Sequence, residues 1–316
     1  MSSLASRMPR RLRFFPPGSL VEVTCRTVQG RLLLHPTPLV RNLTLGVLAR
    51  AARLYPVQVH AFAFLSNHFH LLLTVPSAQR LAQFMNFLNS NLAREVGRAI
   101  RWRERFWGRR YQAILVSGED AAQIDRLHYI LSHGCKEHLV ERPTDWPGAH
   151  CAQALRDGCP VSGSWFNRTL EYQAARRNVR LSQKDFVEEE SLRLDPIPCW
   201  ATLDPEIHRE RIESLLRSIE QGTTRRAQET GRPPLGREAL LQQDPHASPN
   251  RIRRGPAPLV HAASKAIRRE LRERYRTFVA TFRRAAESLR AGNRSAEFPA
   301  GSFPPSLPFV AAVGTG

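Results

Sequence analysis

The sequence predicts an α+β domain followed by a mostly helical, basic extension. Three observations carry that prediction. Strand-like and helix-like segments alternate through the first half. Their order reads β-α-β-β-α-β. Beyond about residue 150 the texture changes to proline-rich joints and amphipathic helices.

Each element has its own signal. SLVEVTCRTV (19–28) is rich in β-branched residues and reads as a strand. Thr37 and Pro38 then open PLVRNLTLGVLARAARLY, where Leu39, Leu43, Val47, Leu48, Ala51 and Leu54 keep helical spacing. VQVHAFAFLS and HFHLLLTV follow as two strands around a turn at Ser66-Asn67. After Pro76-Ser77, a longer amphipathic helix repeats Leu81, Phe84, Met85, Leu88, Leu92 and Val96 at threes and fours. RWRERFWGRRYQAILV (101–116) is basic and aromatic and ends as a strand. This order is the ferredoxin-like split arrangement, with two helices against one face of an antiparallel sheet.

One more helix follows. Ser117-Gly118-Glu119-Asp120 reads as a capping box, and Gly134 as a left-handed terminus. Ile124, Leu127 and Leu131 form its apolar stripe. Tyr129 and His133, four apart, are surface neighbours on the side away from that stripe. Further on, Asp204 and Pro205 start DPEIHRERIESLLRSIE. HAASKAIRRELRERYRTFVATFRRAAESLRAG (261–292) puts Ile267, Leu271, Tyr275, Phe278, Phe282, Ala286 and Leu289 on one stripe, with arginines opposite and Gly292 at its end. The expected division is a catalytic domain over 1–160 and a basic helical accessory region over 161–316, joined by semi-rigid proline-rich linkers.

Composition narrows the function. Lys plus Arg total 47 against 28 Asp plus Glu, a formal charge of +19. Such a field attracts polyanions, and nucleic acid is the first partner it suggests; a membrane surface is the weaker one. No run approaches the roughly 18 apolar residues of a membrane span, and no export signal follows the basic N-terminus. The five cysteines are scattered and include no CxxC, which argues against a disulfide framework or zinc ribbon. The expected location is the cytoplasm, in association with the nucleoid.

The chemistry centres on NHFH (67–70). Alternate residues of a strand share a face, so His68 and His70 project together while Phe69 turns to the core. Two imidazoles side by side can hold one divalent cation. His133 is the candidate third ligand if its helix packs over the sheet, and Tyr129 then lies one helical turn from the ion. A cation on a phosphate withdraws charge from phosphorus, and a tyrosine can attack it covalently. Arg101, Arg103, Arg105, Arg109, Arg110 and Lys136 are candidate phosphate contacts. Trp102, Phe106 and Trp107 between those arginines fit single-strand binding by base stacking. The plainer alternatives stay open: a packed histidine pair, a packing tyrosine and a solvated arginine face. Tyr111 is a rival tyrosine, read as structural or base-stacking; His60 and His128 are read as structural.

At this point the residues resemble a family. NHFHLLL is similar to the His-hydrophobic-His strand of the single-tyrosine HUH transposases, most closely the REP-associated tyrosine transposases. Tyr129-Ile130 resembles their catalytic helix, FWGRRYQAILV the strand before it and RPTDWPG the segment after it. The resemblance covers roughly residues 10–155. It implies a ferredoxin-like HUH domain that nicks single-stranded DNA near hairpins with Mg²⁺ or Mn²⁺, through a 5′-phosphotyrosine. By it, His68 and His70 are metal ligands and Tyr129 is the nucleophile. The chain departs where the family usually has Gln or Asn four residues after the tyrosine: here it is His133, and the family's common Asn-Pro after the helix is replaced by His133-Gly134. An all-imidazole set is softer and suits Mn²⁺, Zn²⁺ or Ni²⁺ better than Mg²⁺.

The expected activity is therefore DNA nicking and strand transfer on single-stranded or hairpin DNA, by a monomer or homodimer. The alternative is a catalytically inactive nucleic-acid-binding protein that keeps the fold. A replication-initiator-like nickase ranks lower. Position 133 is not a second tyrosine, and the chain has no GxxxxGK[ST].

Overall fold

The computed structural model describes residues 11–249 and 258–302. The basic stretch before residue 11, most of the RGPAP joint and the FPPSLPF segment lie outside the described residues. Strands β1 (Ser19–Arg26), β2 (Gln58–Leu65), β3 (His68–Val75) and β4 (Gln112–Val116) form an antiparallel sheet in the order β2-β3-β1-β4. A two-residue strand far along the chain, Val260–His261, extends it in parallel beside β4. The predicted β-α-β-β-α-β order is the observed one, with α1 (Pro38–Leu54) and α2 (Ala78–Ala99) as its helices.

Local chemistry sets these boundaries. Thr37 accepts the Val40 amide at 3.2 Å and Pro38 occupies the first helical position, so α1 begins where the missing N–H costs nothing. Ser77 accepts the Arg80 amide at 3.0 Å and starts α2. Ser66-Asn67 turns β2 into β3 as a hairpin in which Phe64 faces Phe69 and Leu65 faces His68. Phe69, Leu71 and Leu73 are fully covered on one face of β3. On that face the Phe69 ring meets Trp107, whose indole N–H donates to the Asn89 carbonyl of α2 at 2.8 Å.

The opposite face of β3 carries His68 and His70. Over it lie α3 (Asp120–Leu131) and the short α4 (His133–Lys136). Two expectations need correction here. Gly134 does not close α3 in a left-handed conformation: Ser132 keeps right-handed geometry and Gly134 sits within α4. Nor does the Tyr129–His133 side face solvent, since His133 is 0% exposed. The reason is that His133 begins α4 and turns onto the sheet: its ring meets His68 and His70 of β3, and α4 packs against the 143–145 turn.

The capping box at 117–120 is also replaced. Glu119 makes no cap bond within α3. Its carboxylate accepts the Ser117 hydroxyl at 2.6 Å and the amides of Ala263 and Ser264 at 3.0 and 2.9 Å.

The second half is mostly helical, but it also contains a strand pair, where the expectation is a helical region with proline-rich linkers. After α5 (Ala152–Asp157) come β5 (Val161–Phe166), α6 (Arg168–Arg176) and β6 (Val187–Leu192), with β5 and β6 paired antiparallel. This hairpin lies on α1. Backbones meet so closely that a Cβ on Gly163 would sit 2.3 Å from the Asn42 carbonyl oxygen. Arg50 pairs with Glu188 and Glu190 at 2.6 Å, and Arg168 with buried Glu95 of α2 at 2.7 Å. Contacts thus cross the expected boundary at residue 160.

Beyond it run α7 (Pro205–Thr230), which packs on α5, and α8 (Arg237–Leu241). The strand already met at 260–261 is β7, and α9 (Lys265–Arg290) follows it. Gly292, at φ +100, follows α9 as expected. Among the described residues no helix is long and apolar enough to cross a membrane.

Candidate metal and tyrosine centre

Pairing register builds the site. Across β1 and β3, Thr24 faces His70 and Arg26 faces His68, so Glu22, two residues before Thr24, shares their face. A glutamate that is 2% exposed inside a sheet needs partners. It has three. His70 Nδ1 lies 2.8 Å from its Oε1, His261 Nε2 2.9 Å from its Oε2, and Arg126 Nη1 3.5 Å from the same Oε2. Burial opposes its ionisation, but the bonds from His261 and His70 win and hold its carboxyl well below the usual carboxylate range.

His68, His70 and His133 are all buried and offer one ligand nitrogen each, all within 4.8 Å of one another. Their surroundings fix the tautomers. The His70 Nδ1–H donates to Glu22, and the His68 Nδ1–H donates to the Asn67 side-chain oxygen at 2.6 Å. Both rings therefore carry their lone pair on Nε2. His68 Nε2 faces His133 Nε2 at 2.6 Å. A proton or a cation satisfies such a pair of ring nitrogens, and the three imidazoles together fit a divalent ion. Carboxylate and amide acceptors behind two of the three rings are the usual support of metal-bound histidine.

Tyr129 closes the arrangement. Its ring centroid lies 5.4 Å from that of His70 and 5.2 Å from that of His133, both edge-to-face. Two cations flank it: the Arg126 guanidinium carbon and the Lys136 ammonium are each 4.7 Å from the ring centroid. The fold therefore brings His68, His70, His133, Tyr129 and Lys136 to one place.

The 101–110 loop is a separate case. It lies against the end of β1: Gly108 donates its amide to Arg26, and Thr27 bridges Trp107. Arg101, Arg103, Arg105, Arg109 and Arg110 are all exposed. The aromatic residues between them do not form an open stacking surface. Phe106 is in the core, and Trp107 turns inward onto Phe69. Trp102 packs beside His246 at 5.4 Å, with Arg31 at 5.4 Å over its ring. Core packing took these side chains because Phe69 and α2 needed cover.

Tyr111 is buried with the Arg13 guanidinium 3.8 Å over its ring, and burial pushes its phenol up. Its contacts are those of a packed side chain, as are those of His60, which bridges the Asp195 carbonyl and the Thr74 hydroxyl.

Glu22, Arg126 and His261 join the site beyond the residues expected from the sequence. Glu22 had a signal, an acid at an inward position of an apolar strand. Arg126 had one too, three residues before Tyr129. His261 had none, since nothing in a two-residue strand predicts its partner.

Residues 37–133 match the family described as IS200-like transposase, a span that includes all three histidines and Tyr129. No curated protein matches the chain. Among solved structures, one of a REP-associated tyrosine transposase bound to a REP hairpin aligns at 16% identity, over 47% of this chain and 85% of that one, with a TM-score of 0.34. A Deinococcus radiodurans R1 protein described as a transposase candidate aligns at 19% identity, over 37% of this chain and 94% of that one, with a TM-score of 0.28.

Proposed function

We propose that this protein, whose residues 37–133 match the IS200-like transposase family, nicks and rejoins single-stranded DNA through Tyr129. The observation that carries the reading is the packing of the Tyr129 ring against two of three clustered imidazoles.

His68, His70 and His133 would hold a divalent cation, which when bound draws electron density from a phosphate. The imidazole set favours Mn²⁺, Zn²⁺ or Ni²⁺ over Mg²⁺. Glu22 and Asn67 orient two of those rings through their Nδ1 protons. Tyr129 supplies the nucleophile. Its oxygen forms a bond to phosphorus, the bond to the 3′-oxygen breaks, and the strand's 5′-phosphate stays on the tyrosine. The phenol proton passes to solvent, and the departing 3′-oxygen takes one up. Arg126 and Lys136 stand beside the ring and stabilise the negative charge that grows on the phenolic and phosphoryl oxygens. Attack by a 3′-hydroxyl reverses the sequence and joins the strand to a new partner. DNA hairpins are the substrate class, and the exposed arginines of 101–110 supply backbone contacts.

Labelled single-stranded hairpin DNA, incubated with the protein and Mg²⁺, Mn²⁺ or Zn²⁺, tests this on denaturing gels. A metal-dependent protein–DNA adduct that disappears in Tyr129→Phe supports the reading. Tight DNA binding with no adduct under any of the metals overturns it in favour of an inactive binding protein.

A further inference from the structure

A cleft of about 410 Å³ lies between the first half of α3 and the β7–α9 segment. Its walls include Asp125, Arg126, His261, Arg268 and Arg272. That size is in the range of small-ligand sites. Its charge is decidedly positive. The one acid, Asp125, is already paired with Arg126. Arg268 and Arg272 are four apart and so stand on one side of α9. Arg268 spends one N–H on the Ala262 carbonyl at 2.8 Å and keeps others to donate, while Arg272 is exposed. The amides of Ala263 and Ser264, just before α9, are taken by Glu119, and that of Ile267 in its first turn by the Ser264 hydroxyl.

The cleft is joined to the tyrosine centre by a shared residue. Arg126 lines the cleft and also stands 4.7 Å from the Tyr129 ring centroid. We infer that the cleft binds the single-stranded backbone flanking the scissile phosphate, with Arg268 and Arg272 of α9 as its phosphate contacts. The inference rests on the proposed reaction at Tyr129. It gives the C-terminal region, outside the matched family segment, a direct part in holding DNA.

The test uses the full chain and fluorescence anisotropy on two DNAs: a hairpin alone, and the same hairpin with a single-stranded extension through the nick site. Arg272→Ala should weaken binding of the extended DNA by about tenfold and leave the bare hairpin unchanged. It should also flatten the log K against log salt slope by about one, the loss of one phosphate contact. Arg268→Gln should act in the same direction. Arg283→Ala with Arg284→Ala, further along the same helix, should change neither DNA. Equal losses on both DNAs, losses matched by the distal pair, or no loss in Arg272→Ala would overturn the cleft. Failure of the wild-type protein to bind either DNA would instead remove the transposase reading beneath it.

Discussion

The buried carboxylate of Glu22 accepts a hydrogen bond from His70 Nδ1 at 2.8 Å, and the strand register places both side chains on one face of the sheet. The contact fixes which nitrogen of His70 faces His68 and His133. It also ties the site to the far end of the chain, because the same carboxylate holds His261.

Glu22→Gln should therefore weaken metal binding more than it weakens the fold. Loss of an acceptor behind a metal-bound histidine typically costs about 10–100-fold in affinity. Isothermal titration with Mn²⁺ or Zn²⁺ should show that loss, beside a thermal melt in chelator that changes little. An unchanged metal affinity would mean that His70 is oriented by packing alone.

Stability should fall on mild acidification. Burial pushes His150 down to about 4, and its Nδ1 accepts the Ala152 amide at 3.0 Å, a bond that needs the neutral ring. His60, His128 and His208 are lowered the same way, each by burial. The unfolded chain thus binds more protons than the folded one between the ordinary histidine value of 6.5 and about 4. The stability these groups contribute is complete above 6.5 and is lost as pH falls toward 4. The lowered carboxylate of Glu22 is lost only below its ordinary value of 4.5, outside most of this window. Thermal melts in chelator should show Tm dropping from neutral pH to the lower edge of the window, with a shallower drop in His150→Gln. A flat wild-type profile would contradict the buried neutral histidines.

The β5–β6 hairpin should prove part of the stability of the sheet and helices that carry the His68–His70–His133 cluster. Gly163→Val has no room against the Asn42 carbonyl or the Gly46 amide, which a Cβ would approach to 2.3 and 2.4 Å. Overpacking against backbone costs about 1–3 kcal/mol. Chemical denaturation should show a loss of that size. A neutral result would mean that the hairpin lifts off α1 without consequence.

The parts legible in the sequence were those with local causes. Thr37-Pro38 announced one helix by capping chemistry, and the apolar spacing from Leu81 to Val96 a second. The alternation at His68-Phe69-His70 placed the metal candidates on one face before any neighbour was known. The parts missed have distant causes. Val187–Leu192 reads VEEESL and lacks an apolar face; it is a strand because Arg50 and Arg53 of α1 meet its glutamates. Glu119 abandons its own helix for the start of α9, more than 140 residues on. His133 stands away from the apolar stripe on a helical wheel of α3, and it is buried because it begins α4, turned onto His68 and His70 of the sheet.

The central claim is that Tyr129 carries the covalent bond to DNA. Its most direct measurement is mass spectrometry of the protein–DNA adduct after nuclease and protease digestion. The account predicts a nucleotide joined through its 5′-phosphate to the peptide containing Tyr129. A nucleotide on Tyr111, on a serine, or on no residue at all would contradict it.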